Sequence, residues 1–323
     1  MCGENSGKTT DNDSLPCRSR SWRIREKSGM LLTVTILCLA LPAMAREPNP
    51  TINSPSEITP ELIDRIVNNS IDSLTINYQF TYCPESESFE LWEERMNRIN
   101  PFWIANQINP IKRIEFEVKL SSQVKSLDCA FYKLAELEYV NLKDTSQVTS
   151  MKWMFLGAKS FNQPIGDWDT SNVTDMSGMF MMAESFNQPV GDWDTSRVTT
   201  MFNMFNYAKS FNQPIGNWNT SRVTDMGYMF HTAESFNQPI GDWDTSNVTD
   251  MTLMFFRAES FNQPIGDWNI SSVESMNGMF MKAKSFNQPV GNWDTSNIRT
   301  MKYMFKDASS YSHAKPQGAD SEE

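Results

Sequence analysis

Histidine is almost missing from this chain: 323 residues hold two, His231 and His313. Neither has a carboxylate or nucleophile recurring at a fixed distance, so histidine-centred acid–base or triad chemistry has nothing to build on. Cysteine is scarce too. Of five, only Cys83 and Cys129 lie beyond residue 45. They can pair in an oxidising compartment, but two cysteines form no disulfide framework and supply no zinc spacing. No glycine-rich loop of the phosphate-cradling kind occurs. The apolar run from Met30 to Leu41 has about 12 residues, short of the ~20 that a bilayer-spanning helix needs. Positive charge is in deficit, with 28 Lys and Arg against 39 Asp and Glu. A surface of that sign repels phosphate backbones, so nucleic acid is not an expected partner. No catalytic residue, metal ligand or cofactor is expected, and the oligomeric state is open.

The one apolar run has a telling context. Arg18, Arg20, Arg23, Arg25 and Lys27 precede it, and Pro42 and Ala43-Met44-Ala45 follow it. That is the basic, apolar, small-residue order of a secretory signal, with cleavage after Ala45. Residues 1–45 are therefore expected to be removed on export, leaving 22 basic and 35 acidic residues. The mature protein is expected to be secreted or at the cell surface, with no integral membrane segment. Leu37 before Cys38 is too bulky for a lipid-attachment motif.

Three residue types are abundant: 20 Phe, 10 Trp and 21 Met. They are not scattered. Six full copies of a 25-residue unit begin at Met151, Met176, Met201, Met226, Met251 and Met276, and a truncated one begins at Met301. Residues 127–148 read as a degenerate earlier copy. Such spacing makes each unit one supersecondary turn that buries its apolar face only against its neighbours. The expected fold is a repeat solenoid of leucine-rich-repeat type, covering 126–311. Each coil is expected to hold a helical or 3₁₀ turn from Met151 and a short strand from Gln163 to Trp168. A β-bulge at Gly166 would turn both Ile165 and Trp168 inward. Residues 46–125 lack the repeat. Helices over 59–69 and 89–99 and strands over 74–80 and 111–120 suggest a small α+β N-terminal cap, and 312–323 is a polar tail.

The unit MxxMFxxAxSFNQPIGDWDTSNVTD resembles the BspA-like leucine-rich-repeat surface proteins, and more narrowly the 25-residue repeat of mycoplasma surface lipoproteins. The resemblance implies adhesion to other proteins or cells, with no catalytic residues.

Comparison among the copies separates scaffold from display. Positions one, four, five, eight, eleven and eighteen are apolar and nearly fixed, which marks the core. Asn162, Gln163 and their counterparts are expected to form amide ladders. Position nine reads Lys159, Glu184, Lys209, Glu234, Glu259 and Lys284, opposite in sign at four of the five neighbouring pairs, and is expected to form a charge ladder. Asp167 and Asp169 share the early spacing of a calcium loop. Asn172 and Gly178 break the rest of that motif, which leaves a solvated turn. Positions two, three, six and seven vary freely. Trp153, Met181, Met182, Phe202, Tyr207, Tyr228, Leu253, Phe256 and Tyr303 are expected to form an outward ridge that contacts a protein or glycan partner. The other readings are a structural, surface-assembly role and an enzyme with its site in 46–125.

Overall fold

The structure, a computed structural model, describes residues 124–142 and 144–319 and, nearer the N terminus, the backbone of five strands. These are β1 (Ser19–Arg25), β2 (Leu31–Leu37), β3 (Thr51–Ile52), β4 (Thr75–Ile76) and β5 (Arg113–Phe116). With β6 (Tyr139–Asn141) they form one sheet in the order β3-β4-β1-β2-β5-β6. β1 and β2 pair antiparallel, and β5 runs parallel to β6, Ile114 facing Val140. β4 and β5 fall within the two expected strands of the N-terminal segment. The expected helices over 59–69 and 89–99, and the cleavage point after Ala45, lie outside the described residues. β2 occupies the apolar run of the signal reading, so this sheet is that of the unprocessed chain.

From Val124 onward the chain stacks one coil on another. The last residue of each unit makes a single parallel bridge to its counterparts, in the succession Ser126, Ser150, Asp175, Thr200, Asp225, Asp250, Ser275, Thr300. What happens between bridges departs from expectation. In the first full unit the N–H groups of Met151, Trp153, Phe155 and Gly157 donate to carbonyls of the next coil, at 2.8–3.0 Å. Those of Met154, Leu156 and Ala158 donate three residues back within their own coil, at 3.0–3.2 Å. Alternate N–H groups thus point in different directions, which an α- or 3₁₀-helix of uniform right-handed backbone cannot do. The switch is made by left-handed residues at positions three and seven of every unit, such as Trp153 (φ 54°), Met182 (φ 58°) and Tyr207 (φ 58°). The expected helical turn is therefore a run of β-turns.

The expected strand is also absent. Gln163 to Trp168 pairs with no neighbour as a strand, and β6 is the sole strand among the described coils. Ile165 and Trp168 do both face inward, through a β-turn in which Trp168 N donates to Ile165 O at 3.2 Å, not through a bulge. Gly166 sits in that turn because a Cβ there would stand 2.8 Å from the Pro189 carbonyl of the next coil. At Gly191 the same approach, to Pro214, is 2.5 Å.

Between the two turn segments lies the core. One column of rings runs through Phe155, Phe180, Phe205, Phe230, Phe255 and Phe280, with centroids 5.6–5.8 Å apart. A second runs from Phe161 to Phe286 at 5.9–6.1 Å, and within each coil the two rings stack at 3.8–4.0 Å. Met151, Met154 and their counterparts fill the space around these rings, where a flexible thioether packs well against aromatic edges. Each buried indole needs an acceptor. Trp193, Trp218, Trp243 and Trp268 find one in the position-fifteen carbonyl of the coil before, for example Trp218 Nε1 to Val190 O at 3.0 Å.

The polar ladders lie where the sequence suggests. Asn162 Oδ1 accepts from Asn187 N, Asn187 Oδ1 from Asn212 N, and so on to Asn262 and Asn287. At position nine, Glu184 bridges Lys159 at 3.2 Å and Lys209 at 2.8 Å. The tail continues the path: Tyr311 takes the second column's place, stacked on Phe305 at 4.1 Å, and Pro316 and Ala319 are buried. Cys129 is fully buried and disulfide-bonded, to a residue outside the described part.

Candidate binding surface

A left-handed residue turns its Cα–Cβ bond away from the direction taken by its neighbours. Positions three and seven therefore carry their side chains off the core and onto one face of the stack, with positions two and six beside them. Met182, Tyr207 and Tyr303 are the large apolar side chains exposed by more than a third among the described residues, at 36%, 37% and 40%, and all three stand at these left-handed places. Trp153, Met181, Phe202, Tyr228, Leu253 and Phe256 share the face but are half-buried.

Their partial burial has a cause. Ridge side chains lean onto the next coil. A Cβ at Gly178 would meet the Trp153 ring at 2.2 Å, and one at Gly278 would meet Leu253 at 2.6 Å. Trp153 and Leu253 are thus each answered by glycine at position three of the following unit, whereas Tyr228 is followed there by Leu253.

The densest part spans the coils that begin at Met201, Met226 and Met251. Phe202 meets Tyr228 edge-on at 5.7 Å. His231 lies 5.6 Å from Tyr228, 5.3 Å from Tyr207 and 4.6 Å from Phe256, stacked on the last. Burial, with Arg257 nearby, lowers the His231 pKa from 6.5 to about 4. At neutral pH the imidazole is uncharged and acts as one more ring. Its Nδ1 lies 3.1 Å from the Thr232 hydroxyl. Beneath Tyr207, Asn206 is buried; its Nδ2 donates to Asn203 Oδ1 at 2.7 Å, while its own Oδ1 is buried without a hydrogen-bond partner. His231 and Asn206 escape a reading along the chain. Their signal is the column at position six, where Leu156, Met181, Asn206, His231 and Phe256 recur one unit apart.

Cations border the rings. Lys152 lies over Trp153 at 5.0 Å, Lys282 over Phe256 at 5.7 Å and Lys306 over Tyr303 at 4.9 Å. The acidic stripe is elsewhere and is structural. Asp169, Asp194 and Asp244 each accept the N–H of the serine two residues on, at 2.9–3.0 Å. Hydrogen bonding from the Ser196 and Ser246 side chains, and after it from their N–H groups, holds the Asp194 and Asp244 carboxyls below the ordinary range. Among the described residues no three His, Cys, Asp or Glu are grouped to hold a metal ion. No helix among them is long and apolar enough to cross a membrane.

A family model described as "Mycoplasma protein of unknown function, DUF285" matches residues 125–237 and 211–317, more than half of the chain. The chain belongs to that family. The DUF285 match spans the whole run of coils described above, so the mycoplasma part of the resemblance is established. DUF285 membership brings no activity with it. No curated protein and no solved structure matches the chain.

Proposed function

We propose that this is an exported protein that binds a protein or glycan partner through its ridge, on a solenoid akin to the BspA-like leucine-rich repeats. The observation that carries the reading is the conflict between backbone and side chain at positions three and seven. A left-handed conformation costs a residue with a Cβ roughly 1–2 kcal/mol relative to the right-handed form, and glycine avoids that cost. Glycine fills only Gly157, Gly178 and Gly278 of these places in the full coils. Trp153, Met182, Tyr207, Tyr228 and Leu253 stand at others, with Tyr303 in the truncated coil. Trp153, Tyr228 and Leu253 gain packing against neighbouring coils, but stability gives no such reason for the exposed Met182, Tyr207 and Tyr303, whereas a contact surface does. Export is supported by the signal-like order of residues 18–45 and by the disulfide at Cys129, a bond that persists in oxidising compartments. In the processed chain Cys83 is then its natural partner.

The test uses the exposed members, since the half-buried ones also support neighbouring coils. Met182→Ser, Tyr207→Ser and Tyr303→Ser, combined, are expected to abolish capture of surface proteins in a pull-down and to leave the melting transition nearly unchanged. Undiminished capture would remove the ridge as the binding site, and a collapsed transition would show that these side chains hold the fold.

A further inference from the structure

Charge on the coils is sorted by face. At position nine the lysines are matched, Lys159 and Lys209 to Glu184 and Lys284 to Glu259. The ridge is different. Lys152, Arg257, Lys282, Lys302 and Lys306 have no carboxylate within 4.0 Å among the described residues. Three of them rest on aromatic rings instead. Asp128 and Asp307 are the carboxylates at ridge positions in the described coils. Asp128 accepts from Ser150 Oγ and Lys152 N, and burial raises its pKa, whereas Asp307 is exposed. A chain of net charge −11 thus turns out one face on which cations are left unmatched.

Those cations are not spread evenly. Lys152 stands at one end, and the other four stand in the coils from Met251 onward. Between them lie three coils whose ridge positions carry no charged side chain, only Met181, Met182, Phe202, Tyr207, Tyr228, the neutral His231 and smaller uncharged groups. An uncharged apolar centre with cationic ends is the layout of a polypeptide interface with a charged rim.

Resting on the ridge reading above, we infer that its occupant is a segment of another protein with an apolar centre and acidic flanks. The coil spacing of about 4.8 Å puts Lys152 and Arg257 roughly 19 Å apart along the stack, and Lys302 roughly 29 Å from Lys152. At about 3.3 Å per residue an extended chain covers those spans with about six to nine residues. The partner's carboxylates are therefore spaced by that much apolar sequence. A second copy of this chain does not fit, because its acidic stripe alternates Asp167 and Asp169 with a buried Trp168 and offers no exposed apolar stretch. A nucleic-acid strand would lay its phosphates across the uncharged middle.

The experiment measures anisotropy of labelled synthetic peptides with the full exported chain, at low and physiological salt. The probes are DEDVLFIYVEED, the same centre with lysine flanks, and the same acidic flanks around a Ser-Gly centre. Heparin and an oligothymidylate are competitors. The acid-flanked apolar peptide is expected to bind most tightly and to weaken with salt. Lys282→Glu, Lys302→Glu and Lys306→Glu together are expected to weaken it by about tenfold or more, while Lys159→Gln leaves it unchanged. If the peptide binds irrespective of flank charge and only the Met182, Tyr207 and Tyr303 substitutions remove it, the ridge stands and the acidic partner is overturned. If those substitutions leave binding intact, the ridge reading itself fails. Heparin or the oligonucleotide binding more tightly at the same lysines would overturn the inference in favour of sulfate or phosphate.

Discussion

His231 sits among three rings with its pKa lowered to about 4 by burial. In the unfolded chain it takes up a proton near pH 6.5, so between these values the unfolded state binds more protons, and stability falls as pH drops through that window. Asp128 and Asp225, with carboxyls raised by burial, act in the opposite sense in acid. The histidine contribution is therefore isolated by comparison. His231→Leu is expected to flatten the fall in melting temperature between pH 6.5 and about 4, and an identical slope in both proteins would mean that the imidazole is solvated. Asn206 offers a second residue-scale test. Its buried Oδ1 has no partner, and the same column holds Leu156 and Met181 in other coils. Asn206→Leu is expected to raise stability by about 1 kcal/mol, read as a later denaturant midpoint. Core residues were legible in the sequence because identical letters recur every 25 residues. The left-handed positions were not. Trp, Tyr, Leu and Met stand where glycine would have announced them.

Within one coil, two turns take the roles that the sequence assigns to a helix and a strand. Met, Met, Phe, Ala and Phe at spacings of three, one, three and three suit one face of a helix. They equally suit a run of turns whose alternate N–H groups leave for the next coil, and hydrophobic periodicity cannot distinguish the two. Inward placement of both Ile165 and Trp168 was legible; the turn behind it was not. The backbone contact behind Gly166 and Gly191 involves a proline one unit away, which no local pattern encodes. Gly191→Ala is expected to destabilise by about 2 kcal/mol, because a Cβ 2.5 Å from the Pro214 carbonyl must push two coils apart. Trp218→Phe is expected to cost about 2–3 kcal/mol by leaving the buried Val190 carbonyl without its indole donor and opening a small void. Both are read by chemical denaturation. A cost near zero for either would show that adjacent coils shift freely.

As a whole, the stack is held by contacts between successive units, so its register is a length of 25 residues and not a particular sequence. Deleting 201–225 joins like to like and is expected to leave a folded, shorter protein. Deleting 201–212 sets ring against turn and is expected to abolish cooperative melting. Equal folding of both would dismiss the stacked-coil account. Material collected outside the cell is expected to begin at Arg46 and to show no free thiol until reduced; a sequence beginning at Met1 would dismiss the signal. The interval between copies made this scale the most legible, whereas the pairing of β5 with β6 joins sequence-distant segments that share no motif. From positions one to seven of each unit the hydrogen bonds between coils run one way, donating N–H toward the unit that follows, whereas the N–H groups at positions ten and twenty-four, such as Ser185 and Thr174, donate back to the coil before. Along the first of these segments the peptide dipoles add, with the positive end at the coil of Met301. There the N–H groups of Met301, Tyr303, Phe305 and Asp307 find no acceptor among the described residues. Along that segment the stack has a head and a tail, and a further coil joins that pole with its carbonyls turned toward it.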